Sequence, residues 1–239
     1  MTKDDRKECT YKDMTADLKE PAQLFRIERR WPVALVLLAV ILLVVSMPER
    51  VTLFPKWLPY IVGIALTVPM AAVGLTAGKA RWRWLRVEHT IMLLFVVVSG
   101  FGTLANLAHL ISAMVRRSAE IGGPQLLASS IGVWVTNVLT FSLLYWQIDR
   151  GGPEARANNA STKPDWLFPQ TGAPEDAPPD WRPGLVDYLF LGFSTATAFS
   201  PTDALPLTPR AKMVMMLEST ISLVTIVVVA SRAINILGS

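Results

Sequence analysis

The chain has 239 residues, of which 51% are hydrophobic and only 18% charged, with a net charge of +4. Soluble domains carry roughly a quarter charged residues. Here the 23 basic and 19 acidic residues are also segregated away from long apolar stretches, which excludes a soluble globular enzyme. The basic residues flank those stretches as they flank membrane helices, so the positive balance does not point to nucleic acid.

Residues 1–30 form a polar tail with eight Lys or Arg, seven Asp or Glu and no apolar core, unlike a cleavable signal peptide. A mobile tail is one reading. The other is a short interfacial helix, in which Leu24, Phe25, Ile27 and Trp31 lie at headgroup level between the snorkelling Arg26, Arg29 and Arg30. Cys9 is the lone cysteine and can form no internal disulfide.

Residues 31–148 are read as a four-helix membrane region. Its apolar stretches are 31–47, 57–78, 90–115 and 126–146. About 20 apolar residues cross a bilayer core as a helix, so the first is at the lower limit and the others are long enough. Lys79, Arg81, Arg83 and Arg86 crowd the link before the third stretch. The positive-inside rule puts this link and the amino-terminal tail in the cytoplasm. Within the spans, Asn106 and His109 are one turn apart and Thr136, Asn137 and Thr140 cluster. Hydrogen bonds between helices account for such residues.

Residues 149–182 contain six prolines and read as a long linker without regular structure, anchored by the apolar knot Trp166, Leu167, Phe168 and Pro169. Residues 183–239 then hold a short apolar helix over 185–199, a Ser-Pro-Thr-Asp turn and a last long stretch over 213–236. Fifteen residues are too few for a straight crossing, and Pro201 stops the helix. In the last stretch Glu218, Ser222, Thr225 and Arg232 fall near one helical face, and Glu218 and Arg232 are the only Asp, Glu, Lys or Arg in any of the long stretches. That face either lines a water-filled path or packs against a neighbouring helix. The fold expected is all-α: a polytopic membrane protein with five long transmembrane helices and one short or re-entrant helix before the last.

The layout from Asp187 to Arg210 is an aromatic helix, a Ser/Thr/Ala turn, an acidic residue, a Pro-x-Thr-Pro turn and a basic helix start. It resembles the pore loop and inner helix of two-span potassium-channel pore modules, with Asp203, Pro206, Thr208, Pro209 and Arg210 falling on that pattern. The resemblance implies a pore made by a homo-oligomer, with Thr197, Phe199, Ser200, Pro201, Thr202 and Asp203 as pore or filter residues. Where the channels carry Val-Gly-Tyr-Gly, this chain has Phe199, Ser200, Pro201 and Thr202. Without the glycines a potassium-selective carbonyl filter is not expected. Over residues 33–238 the chain also resembles a bacterial family of integral membrane proteins with no assigned activity.

No metal site is expected, since His89 and His109 are 20 residues apart with no Cys or carboxylate at a ligand spacing. No cofactor fingerprint or catalytic residue is assigned, and the chain is not expected to be an enzyme. The functions that remain are a pore for monovalent cations in the cell membrane and, alternatively, a non-conducting membrane scaffold or assembly partner. The residues 185–199 either cross as a short sixth span, which the charge pattern favours, or dip back from the cytoplasmic side and leave Ser239 outside. A third arrangement lays the first stretch in the interface.

Overall fold

The computed structural model describes residues 30–46, 57, 61, 63–65, 67–68, 72, 78–116, 123–157, 163–179, 181–197 and 203–237. The elements in chain order are α1 (Trp31–Ser46), α2 (Gly78–Arg116), α3 (Gly123–Ile148), a 3-10 turn (Asp149–Gly151), α4 (Pro153–Ala157), β1 (Trp166–Leu167), α5 (Pro169–Gly172), α6 (Leu185–Thr197), β2 (Leu205–Pro206) and α7 (Pro209–Leu237). The chain is mostly helical, in line with the all-α expectation. The amino-terminal tail before Arg30, with Cys9, lies outside the described residues.

Among the described residues three helices are long and apolar enough to cross a membrane, over Arg83–His109, Leu127–Gly151 and Pro209–Ser231. Five long spans, as expected from the sequence, are not found among the described residues. The described part of α1 has 16 residues, a rise of about 24 Å against a hydrocarbon core of about 30 Å. The expected span over 57–78 lies mostly outside the described residues, and those described from 61 to 72 are helical.

The link carrying Lys79, Arg81, Arg83 and Arg86 is not a loop but the opening turns of α2. Arg, Lys, Leu and Ala are good helix formers and no proline interrupts them. A 39-residue helix rises about 58 Å, nearly twice the thickness of a hydrocarbon core, so it is longer than one crossing requires. The linker is also more ordered than expected, because it holds the 3-10 turn, two short helices and a strand that pairs antiparallel with β2, Trp166 opposite Pro206.

Helix α3 is the hub of the fold and touches α1, α2, α6 and α7. Its direction relative to the others follows from side-chain contacts. Arg210 at the start of α7 donates to the Ile148 carbonyl at the end of α3 (3.2 Å), and Asn137 further back along α3 meets Ser222 (2.8 Å), so α3 and α7 are antiparallel. Tyr188 at the start of α6 reaches Asp149, while Gly192 faces Ser142, so α3 and α6 are antiparallel too. Helices α6 and α7 therefore run the same way, and Ser219 of α7 donates to the Thr195 carbonyl of α6 (3.2 Å).

Two adjacent parallel helices joined by a short connection require the chain to come back along the first. Asp203 is found with Asp187 and Ser194 around a cavity of about 70 Å³, beside the helix the chain has just left. At 13 residues, α6 descends only about 20 Å. Its parallel run with α7 does not fit a short sixth crossing, which would set α6 and α7 antiparallel. The favoured sequence reading is corrected on this geometry, since both α6 and α7 start at the end of α3 that carries Asp149.

The rest of the bundle surface suits lipid. Leu35, Leu38, Leu42, Leu94, Phe101, Phe190, Phe193, Met213, Met216 and Val227 are large, apolar and exposed. A soluble monomer rarely carries so continuous an apolar surface.

Candidate functional site

The polar residues of the bundle fall into two linked layers. The upper layer is a cap in which the linker seals the ends of α3, α6 and α7. Asp165 and Asp149 are both fully buried there. Asp149 Oδ1 accepts the Asp165 amide N–H (2.8 Å) and its Oδ2 accepts the Tyr188 hydroxyl (2.5 Å). Asp165 in turn is gripped by the Arg210 guanidinium, through Nε (2.6 Å) and Nη2, and by the Thr208 hydroxyl (2.6 Å). Thr208 also accepts the Ala211 N–H (3.2 Å), so it is the N-cap of α7, with Pro209 in the first helical position. Helix α6 starts similarly, with Asp187 reaching back to the Gly184 N–H (2.7 Å).

Aromatic rings fill the space around these carboxylates. Trp166 is fully buried against Tyr145 with ring centroids 4.9 Å apart, and Phe168 meets Tyr188 edge-on at 5.4 Å. The Arg156 guanidinium lies 5.0 Å from the Tyr188 ring centre and donates to the Trp146 and Asp149 carbonyls (2.6 and 2.9 Å). Arg150 and the following glycines turn the chain out of α3, and at Gly152, with φ +104°, a side chain would be strained and its Cβ would lie 3.3 Å from the Gln147 carbonyl. Arg30 pairs with Glu88 of α2 and Glu154 of α4, which ties the start of α1 to the same end.

Burial pushes the Asp165 carboxyl up, but hydrogen bonds from Arg210 and Thr208 outweigh it and hold its pKa below the ordinary Asp value. A depressed folded pKa contributes stability that is present above the unfolded value, about 3.9 for Asp, and is lost as pH falls through the folded value. The melting temperature of the detergent-solubilised protein is therefore expected to drop on acidification below about pH 4. Melting curves of Asp165→Asn across the same range check this, because the variant lacks the titrating group and should lose that part of the acid slope.

The lower layer is a seam between α3, α6 and α7. Glu218, Ser222 and Thr225 are all fully buried, as is Asn137 opposite them. The Tyr145 hydroxyl donates to Glu218 Oε2, and Asn137 Nδ2 donates to Ser222 Oγ (2.8 Å) and to the Glu218 carbonyl (3.4 Å). Glu218 Oε1 and Asn137 Oδ1 have no hydrogen-bond partner. Gly192 makes room for this group: a Cβ there would overlap Ser142 Oγ, and would lie 3.2 Å from the Val138 carbonyl and 3.4 Å from Glu218 Oε1.

Of the residues read from sequence as path-lining, Glu218, Ser222 and Thr225 are brought together on one face, and in the single chain that face meets α3. Only the helical backbone of Arg232 is described. Of the filter candidates, Thr197 ends α6, half-buried, with its hydroxyl on the Ser194 carbonyl (3.0 Å), and Asp203 is exposed. Phe199, Ser200, Pro201 and Thr202 lie outside the described residues. Sequence reasoning passed over Tyr145, Gly192, Asp149, Asp165 and Arg156. An acidic residue set directly before the Trp166 to Pro169 knot was the signal available for Asp165.

No group of three or more His, Cys, Asp or Glu that could hold a metal ion occurs among the described residues. The chain matches no protein-family model, no curated protein and no solved structure.

Proposed function

We propose that the carboxyl-terminal half is a channel-like pore module that assembles as a homo-oligomer and passes monovalent cations across the cell membrane. In this reading α3 is the outer helix, α6 the half-span pore helix and α7 the inner helix. The single observation that carries it is the parallel run of α6 and α7 from one end of α3, with Asp203 back beside α6. A half-span helix followed by a returning segment is tolerated at membrane depth where protein or a water-filled cavity covers it. The segment Thr197, Phe199, Ser200, Pro201, Thr202 and Asp203 would then face the oligomer axis, and a ring of Asp203 carboxylates would draw cations to the mouth. Without filter glycines, little discrimination between Na⁺ and K⁺ follows. The basic start of α2 and Arg30 share the cap end, and the positive-inside rule would make that end cytoplasmic, so that the half-span enters from the cytoplasm.

The scaffold reading is favoured by a different observation: the Glu218, Ser222 and Thr225 face is sealed against α3. Flux into liposomes holding the purified protein separates the two. The pore reading expects Na⁺ and K⁺ uptake, reduced several-fold by Asp203→Asn, and dimers or larger species cross-linked through a cysteine placed at exposed Phe193 in a Cys9→Ser background. Absence of uptake for Na⁺, K⁺ and H⁺ across a range of voltages and pH values would overturn it in favour of the scaffold.

A further inference from the structure

Among the described residues, Glu218 is the one acidic residue at the centre of the seam, and no Lys or Arg pairs with it. Its side chain is wholly enclosed. The groups around it come from three helices. Helix α3 contributes Tyr145 and Asn137, α6 contributes the bare backbone of Gly192, and α7 itself contributes Ser222 and Thr225. Among the described residues Tyr145 is the only titratable side chain bonded to it. The nearest basic residues on α7 are Arg210 and Lys212, about 9–12 Å back along the axis. The first is held by Asp165 and the second is exposed. Asp149, one turn beyond Tyr145 in the 3-10 turn that follows α3, is engaged by Tyr188 and the Asp165 amide.

An ionised carboxylate offers about four lone-pair sites and needs donors or a cation to remain charged out of water. Glu218 has one donor on Oε2 and none on Oε1. A carboxylic acid suits this environment better than its anion, because it is neutral and keeps the Tyr145 hydrogen bond. The same hydrogen bond joins α3 to α7 at the level where Gly192 lets α6 pack against both. The protonated acid is thus compatible with three packed helices and the carboxylate is not.

We infer that Glu218 is a proton-binding site whose occupied form locks α7 against α3 and α6, and whose deprotonation opens that seam. The inference stands whether or not the protein conducts. If it does, the site supplies a proton-controlled gate, since α7 is the inner helix of the pore reading.

Infrared difference spectroscopy of the full-length protein in liposomes tests the site directly. At neutral pH the wild type is expected to show the C=O stretch of a buried protonated carboxyl, moved by D₂O and absent in Glu218→Gln. Tyr145→Phe removes the O–H donor and should shift the frequency of that band without abolishing it, so a poorly folding Glu218→Gln does not leave the question open. No such band in the wild type, or a band unchanged by both substitutions, would overturn the proposal. Loss of the band on adding Na⁺ at constant pH would overturn it in favour of a monovalent cation site. For the lock, spin labels at Ile131 and Val227 in a Cys9→Ser background should separate when the band disappears at alkaline pH. Labels that keep their distance through loss of the band would refute the coupling, and in Glu218→Gln the distance should stay at the closed value at every pH.

Discussion

Arg210→Ala is expected to cost about 3 kcal/mol of stability, considerably more than Asp165→Ala, although the two residues form one ion pair. The asymmetry follows from burial. Asp165 is 0% exposed in its side chain while Arg210 is 58% exposed. Removing the arginine leaves a buried carboxylate with the Thr208 hydroxyl as its remaining side-chain donor, and stranding one partner of a buried pair costs about 3–5 kcal/mol. The open side of the guanidinium lets water in, which places the loss at the lower end of that range. Removing the aspartate instead releases an arginine into solvent and forfeits hydrogen bonds worth about 1–3 kcal/mol to a charged group. The double variant should resemble Asp165→Ala, because nothing charged is left behind in the cap. Arg210→Lys should recover only part of the loss, since an ammonium cannot make the paired contact of a guanidinium. Melting of the four variants in one detergent checks the order, and a larger loss in Asp165→Ala than in Arg210→Ala would refute it.

The cap matters beyond its own stability because it fixes where two helices begin. Asp165 holds the first turn of α7 through Thr208 and Arg210, while Asp149 holds the first turn of α6 through Tyr188. The Asp165 amide joins the two carboxylates. Helix α6 and the last helix are therefore aimed from a common anchor.

Much of the helical layout was legible in the sequence because charge and hydropathy separate cleanly. The third, fourth and last apolar stretches correspond to α2, α3 and α7, and the shortness of α6 was readable from its 15 apolar residues and Pro201. The spacing of Glu218, Ser222 and Thr225 gave a shared face. Helical periodicity assigns a face but not its neighbour, so whether that face met water or α3 could not be read. The order of the linker was hidden for a related reason. Its partners are distant in sequence, 16 residues from Asp165 to Asp149 and 45 to Arg210, and a Pro- and Gly-rich composition looks the same whether such contacts form or not. The basic turns of α2 were read as a loop because charge density was taken for a break, whereas only Gly or Pro would have broken the helix there. The direction of α6 relative to α7 was lost because hydropathy carries no information on which end a half-span enters.

Gly192→Val is expected to destabilise the protein by about 3 kcal/mol, and Gly192→Ala by less, against the usual trend for glycine in a helix. At an open helical position alanine is better than glycine by roughly 0.8–1 kcal/mol. Gly100 in α2 is such a position, with nothing within 4 Å of an added Cβ, so Gly100→Ala should stabilise. At Gly192 the added carbon overlaps the Ser142 hydroxyl, which is buried and hydrogen-bonded to the Val138 carbonyl (2.7 Å), and it also crowds that carbonyl. Neither atom is the free end of a flexible side chain, so α6 must move off α3, and overpacking of this kind costs about 1–3 kcal/mol. Ser142→Ala deletes the nearest obstacle and should restore most of the stability of Gly192→Ala, a coupling that a double-mutant cycle measures. The displaced α6 would also withdraw the backbone that encloses Glu218 Oε1, so the carboxyl band in the infrared should weaken or move in Gly192→Ala and return with the Ser142→Ala partner. Stabilisation by Gly192→Ala equal to that of Gly100→Ala would mean that α6 does not approach α3 as closely as this packing requires, and the enclosed carboxyl, the half-span and the seam would have to be reconsidered together.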